Sequence, residues 1–213
     1  MKQAHGSWGR LQVDPSIRGL YFSNLLTIAL AMAERWDPWE TMFIYWCQSI
    51  AIGYYTFKRI RRLQHFTTEN VEIDGKPVQP TPQTRDQLAV IFAGLYGMFH
   101  LGYLIFILVQ RENVRISFWQ LVSIAVCVVS FVVSHRKSFL CHLDDDERST
   151  FHIGDIYLGP FTRIVPMHLT IIAGGFLAQG SRLRLAFFLF LKTSMDIWGH
   201  VAAHGGGVKE TPA

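Results

Sequence analysis

Charge is what this sequence has least of. Asp, Glu, Lys and Arg make up 17% of the 213 residues, where soluble domains carry roughly 25%. A water-facing shell cannot be built from so little, and a 50% hydrophobic share excludes disorder. Cysteine is scarce as well. Cys47, Cys127 and Cys141 show no CxxC spacing and fall in or beside apolar runs, which excludes a disulfide scaffold and a thiolate zinc site and reads as small buried hydrophobes. There is no G-x-S-x-G elbow, P-loop, G-x-G-x-x-G or H-E-x-x-H, no internal repeat, and no basic–aromatic module for nucleic acid.

What is abundant is apolar sequence in long runs. They cover Gly19 to Ala33, Thr41 to Phe57, Leu88 to Val109, Ile116 to Val133, Ile164 to Leu177, and Leu183 to Trp198. A bilayer core takes about 20 apolar residues per helix, and roughly 17 to 25 are tolerated. The third and fourth runs meet this outright, and the others need their flanks. Pro166 interrupts the fifth, which a membrane helix tolerates better than a soluble one. The pattern predicts an all-α polytopic membrane bundle of about six transmembrane helices, with the lipid bilayer as its partner. The first run has a rival reading as a signal-peptide core, since Ala29-Leu30-Ala31 and Ala31-Met32-Ala33 resemble cleavage sites.

Basic residues set an orientation. The N-terminal arm, the loop with Lys58, Arg59, Arg61, Arg62, Lys76 and Arg85, the fourth loop and the tail together hold fourteen Lys and Arg, against five on the opposite side. Both termini are therefore expected in the cytoplasm of a plasma membrane. Residues 1–18 form an arm, 19–204 the membrane domain with its cytoplasmic loop 58–87, and 205–213 a disordered tail. Within that loop, Val71-Glu72-Ile73 before Gly75 predicts a short hairpin. Trp36, Trp39, Tyr54 and Tyr55 fit interfacial belts. Asp144-Asp145-Asp146-Glu147 reads as a solvated face, near enough to His142 and His152 to hold a cation loosely.

Ionisable groups inside a span are costly and mark function. Lys192, Asp196, His200 and His204 recur every four residues in the sixth run, so on a helix they share one face that should point into the bundle. With span order fixed, His135 at the end of the fourth run and Arg163 and His168 at the start of the fifth meet them on the cytoplasmic side. Asp196 with His200, helped by His168 and His204, is a donor set suited to a divalent metal such as zinc. Structural pairing of Lys192 with Asp196 competes with that reading. A second polar group is His100 in the third run, which should pair with Gln48 or Ser49 of the second as an interhelical hydrogen bond.

Four stretches resemble the small bacterial multi-pass membrane proteins of domain-of-unknown-function family 6498. They are Ile44-Tyr45-Trp46-Cys47-Gln48-Ser49-Ile50-Ala51-Ile52-Gly53, Ser134-His135-Arg136-Lys137-Ser138-Phe139, Arg163-Ile164-Val165-Pro166-Met167-His168-Leu169-Thr170-Ile171, and Leu191-Lys192-Thr193-Ser194-Met195-Asp196 through His200 and His204. The resemblance implies a bacterial inner-membrane location and singles out Arg163, His168, Lys192, Asp196 and His200. It also marks departures: the family typically has Glu-Asn where Gln48-Ser49 stand here, and histidines where Leu95 and Tyr103 stand. Three functions compete on these residues: a metal-dependent membrane hydrolase, a small-solute or proton carrier, and an accessory subunit. The first two would take a lipid or small-molecule ligand.

Overall fold

A computed structural model describes residues 15–36, 38–109 and 116–164 of the chain. Four long helices dominate them: α1 (Pro15–Ala33), α2 (Pro38–Arg62), α3 (Pro82–Val109) and α4 (Phe118–Cys141). Three of them begin on proline, whose fixed φ and missing N–H suit the first helical position. The fourth begins with a capping box: Ser117 Oγ accepts from the Gln120 amide at 3.1 Å, and the Ser117 amide donates to Gln120 Oε1 at 2.8 Å. Short elements fill the connections: β1 (Phe66–Thr67), β2 (Glu72–Ile73), β3 (Lys76–Pro77), α5 (Leu143–Arg148), β4 (Phe151–His152), α6 (Ile153–Leu158) and a 3-10 turn, Gly159–Arg163.

α2 is the central helix, packing on both α3 and α4, while α1 packs on α4. The contacts fix the directions. Gln120 near the start of α4 donates to Glu40 near the start of α2, and Arg59 near the end of α2 meets Asp146 beyond the end of α4, so these two helices run parallel. Ser49 meets both Tyr96 and His100 while Arg85 reaches the Leu63 carbonyl, so α3 is antiparallel to α2. Ser123 meets Glu34 and Ser130 meets Ser23, which makes α1 antiparallel to α4. The four helices alternate up and down, and α2 and α4 finish at the same end.

α1 belongs to this bundle through a stripe of small residues. Ser23, Thr27 and Ala31, spaced by four, are buried against α4, where Ser130 Oγ donates to Ser23 Oγ at 2.6 Å. Small side chains let two helices approach closely. A Cβ at Gly19, one step earlier in the stripe, would lie 2.8 Å from Ser134 Oγ.

The end where α2 and α4 finish carries the basic residues and a small cap. β2 and β3 form the expected hairpin, turning through Asp74 (φ 53°) and Gly75 (φ 71°). Positive φ at both central positions is the signature of the type I′ turn that Asp-Gly favours. β1 pairs in parallel with β4, Phe66 opposite Phe151 and Thr67 opposite His152, which ties the long loop to the segment after α4.

Several expectations are corrected by these contacts. Of the acidic run, Asp146 is not on a solvated face, while Glu147 is exposed. Asp146 is only 5% exposed and accepts from Arg59 Nε at 2.8 and 2.9 Å and from Nη2 at 2.6 Å, while Arg62 bridges to Glu147 at 3.1 Å. Nor do His142 and His152 join it around a cation, because His142 Nδ1 bonds the Ser138 carbonyl and His152 Nε2 the Glu69 carbonyl. Trp36 and Trp39 are buried, not in a belt, and the indole of Trp36 donates to Glu34 at 2.9 Å. Cys127 is buried, Cys47 half-buried and Cys141 exposed, all as free thiols. The helices also outrun their apolar cores, because amphipathic turns extend α2 to Arg62 and α4 to Cys141. His135 consequently sits within α4 instead of at its end. The fifth run beyond Ile164 and the whole sixth run lie outside the described residues.

The Arg59–Asp146 pair fastens the end of α2 to the turn after α4 through charge-assisted hydrogen bonds, with Arg59 also over the Phe151 ring at 5.0 Å. Replacing Asp146 with Asn should destabilise the fold by about 2 kcal/mol. In thermal unfolding, Arg59→Ala/Asp146→Ala should cost less than the two single changes summed; strict additivity would mean the two groups do not interact.

Candidate functional site

Polar side chains meet inside the helices on one level of α2, where Gln48 and Ser49 are adjacent and buried. At 100° per residue two neighbours on a helix face different partners. Ser49 turns to α3 and Gln48 to α4. Ser49 Oγ lies 2.8 Å from His100 Nε2 and 2.7 Å from the Tyr96 hydroxyl, which also donates to the Ser49 carbonyl at 3.0 Å. His100 Nδ1 donates to the Tyr96 carbonyl one turn back at 2.8 Å, and Trp46 Nε1 donates to the His100 carbonyl at 2.8 Å. On the other side the Gln48 amide nitrogen donates to His135 Nε2 at 3.3 Å. The result is a polar layer crossing three helices.

The hydrogen bonds set its chemistry. A carbonyl only accepts, so Nδ1 of His100 carries the proton, and in the neutral ring Nε2 accepts the Ser49 hydroxyl proton. Hydroxyl and imidazole thus have the spacing of a nucleophile and its base. Both are shut in, however: Ser49 is 6% exposed and His100 1%. Stacking seals them further, with Tyr96 4.1 Å from His100 and Phe161 edge-on to Tyr96 at 5.5 Å. This side of the layer works as interhelical hydrogen bonding, the role read for His100 from its place in the third run.

Phe161 also marks where the next part of the chain begins. It packs on Phe92, Tyr96 and Phe99, with Tyr157 stacked against it, and burial pushes the Tyr157 hydroxyl pKa upward. Arg163 ends this 3-10 turn and Ile164 is buried, so the backbone enters the fifth run beside the polar layer. His168, Lys192, Asp196, His200 and His204 lie outside the described residues.

Of the sequence-derived site residues, the structure brings together Gln48 with His135 and Ser49 with His100. Tyr96 and Trp46 were not anticipated. The signal was present in Tyr96 standing four residues before His100 on the same face, with Gly53 four after Ser49 making room for its ring. Two carboxylates at the opposite end of the bundle were missed as well. Glu40, 1% exposed, accepts from Gln120 at 3.4 Å, and Glu34 accepts from both Ser123 and Trp36. The first-turn position of Glu40 in α2 was the readable cue, since a carboxylate is favourable at a helix N-terminus.

An alternating helical bundle with apolar outer faces and a buried polar layer is the class that fold and site define. Residues 7–213 match the family of unknown function DUF6498, and the chain belongs to it. No curated protein and no solved structure matches.

A Cβ at Gly53 would fall 2.7 Å from Cδ1 of the Tyr96 ring, so the glycine is what lets α3 close on α2 here. Ser49→Ala should cost about 1 kcal/mol, the scale of a hydrogen bond between apolar helices. Gly53→Val should cost more than Ser49→Ala, because it displaces the ring that organises the layer. Thermal unfolding of purified variants checks this, and a Gly53→Val protein as stable as wild type would refute the packing argument.

Proposed function

We propose that the chain is a multi-pass membrane protein whose polar layer forms one wall of an intramembrane site for a polar ligand, with both termini on the side of the basic loops. The observation that carries this is the exposure of its most apolar helices. α3 and the stretch Phe118–Arg148 are long and apolar enough to cross a membrane, and only 28% and 22% of their apolar windows are buried in the structure. A core helix of a soluble protein is mostly buried. Here Val90, Met98, Leu101, Ile105 and Val109 of α3, and Phe118, Trp119, Val126 and Val129 of α4, face outward. Water would penalise that surface at about 25 cal/mol per Å², whereas acyl chains would not. At 28 residues, α3 spans about 42 Å, enough for a core of about 30 Å.

The basic end supports the orientation. Lys58, Arg59, Arg61, Arg62, Lys76 and Arg85 gather where α2 ends and α3 begins, as expected of a cytoplasmic face. His135 faces inward, and the backbone leading to Arg163 enters beside Tyr96. Arg163, His168, Lys192, Asp196 and His200 would then complete the site from the fifth and sixth spans. Zinc or a similar divalent ion would draw on Asp196, His200, His168 and His204. Among the described residues no three His, Cys, Asp or Glu side chains are grouped to hold one. A ligand-binding role, whether of hydrolase or carrier, rests on that second wall.

Two measurements test the reading. The protein should stay in the membrane pellet through alkaline carbonate extraction. Topology reporters fused at Gly75 and after Ala213 should both read cytoplasmic, and one at Asn113 should read the opposite side. Release by carbonate would refute the membrane assignment, and opposite readings at Gly75 and Ala213 would refute the even number of crossings.

A further inference from the structure

Among the cations at the basic end, some have carboxylates and some do not. Arg59 is held by Asp146, Arg62 by Glu147, and Arg61 shares Asp86 with Arg85. Lys58 and Arg136 are exposed and have no carboxylate partner among the described residues. Lys58 instead rests over the Tyr54 ring, its Nζ 4.9 Å from the centroid.

Their placement follows from helix geometry. α2 points Tyr45, Gln48 and Arg59 at α4, and Ser49 and Gly53 at α3. α4 points Phe131, His135 and Phe139 at α2, and Ser123, Ser130 and Gly19's neighbour Ser134 at α1. At 100° per residue, and with α2 and α4 parallel, α1 and α3 fall on one side of the α2–α4 pair. Two stripes with identical spacing face the other side: Cys47, Ala51, Tyr54 and Lys58 on α2, and Ala125, Val129, Val132 and Arg136 on α4. Each is apolar or aromatic through three positions and cationic at the fourth, toward the basic end. Tyr54, Val129 and Val132 are 52%, 59% and 38% exposed.

We infer that this groove is a binding site for an anionic phospholipid of the cytoplasmic leaflet. Its phosphate is held by Lys58 and Arg136, and an acyl chain lies along Val132, Val129 and Ala51. The inference rests on the membrane reading above. In the register of the Gln48–His135 contact, Arg136 sits nine residues deeper than Lys58, about 13 Å along the axis at 1.5 Å per residue, so its long side chain extends toward the headgroup level while its stem stays against apolar surface. An anionic headgroup answers a requirement that the described residues leave unmet, since among them these two cations, unlike Arg59 and Arg62, have no acid to neutralise them. A zwitterionic headgroup supplies the chain but not the net charge.

The test is native mass spectrometry of the full chain released from vesicles of mixed phosphatidylglycerol and phosphatidylcholine. Wild type should retain phosphatidylglycerol preferentially. Lys58→Gln and Arg136→Gln should each lower that preference by about fivefold, the scale of one cation near a charged leaflet. The charge-preserving pair Lys58→Arg/Arg136→Lys should keep it, and Lys76→Gln, on the hairpin, should not change it. Val132→Trp, which fills the groove without touching a charge, should lower retention of both lipids and serves if the glutamine variants fail to fold. No preference in wild type, or an equal loss with Lys76→Gln, overturns the site. A protein that floats with vesicles but lacks the preference refutes this site alone, whereas one that does not float refutes the membrane reading.

Discussion

Much of the described bundle is referred to α2, because adjacent polar residues on it, Gln48 and Ser49, face two different helices. An amide or hydroxyl in an apolar interior costs free energy unless a partner meets it. Gln48 and Ser49 therefore dictate where α4 and α3 must sit. Ser49 requires an acceptor, and His100 supplies one only at the rotation and height that also bring Tyr96 over Gly53. Gln48 requires an acceptor on its other side, and His135 fixes α4. Eleven residues along α2 and eleven beyond His135, Arg59 meets Asp146. One register thus satisfies the interior layer and the charged end together, and a slip along either helix would break both.

Among the described residues the surface departs from a soluble domain's in its outer faces. Ser23, Thr27, Gln48, Ser49 and His100 join Phe92, Phe131, Ile44 and Ile107 between the helices, while many valines and leucines face out. Between α1 and α4 the small stripe gives close backbone approach, a contact that depends on dispersion and hydrogen bonds more than on expulsion of water. Among the described residues the carboxylates lie toward the ends. Glu34 and Glu40 close one end against Ser123 and Gln120, and arginines close the other against Asp146 and Glu147. The described helices are held by polar contacts inside and at both ends, an arrangement that suits the membrane setting proposed above.

Much of this was legible in the sequence. Helix positions followed from apolar runs, the hairpin from an Asp-Gly turn, and the His100–Ser49 contact from the cost of an imidazole inside an apolar segment. The ion pairs were not, because Asp146 and Arg59 lie 87 positions apart and nothing local distinguishes a paired acid from a solvated one. Helix ends were misjudged for a related reason. Hydropathy marks where side chains turn apolar, while the backbone continues through amphipathic turns such as Lys58 to Arg62 and His135 to Cys141. Trp36 and Trp39 were misplaced because an amphipathic ring fits an interface and a capped bundle end equally well, and only the position of Glu34 decides between them.

Once α4 is seen to continue past His135, that residue no longer has the option of extending to the aqueous edge. Its ring is more than a turn inside the helix, on the face that also carries Phe131 and Phe139 toward α2. The imidazole is half-buried there, and the Gln48 amide reaches it at 3.3 Å, a longer contact than those around His100. Ser49 and His100, by contrast, are enclosed and close. The layer is therefore asymmetric, closed toward α3 and more open toward α4. Of the two histidines only His135 keeps part of its ring accessible, which is why the reading proposed above gives it, and not His100, the ligand-facing role.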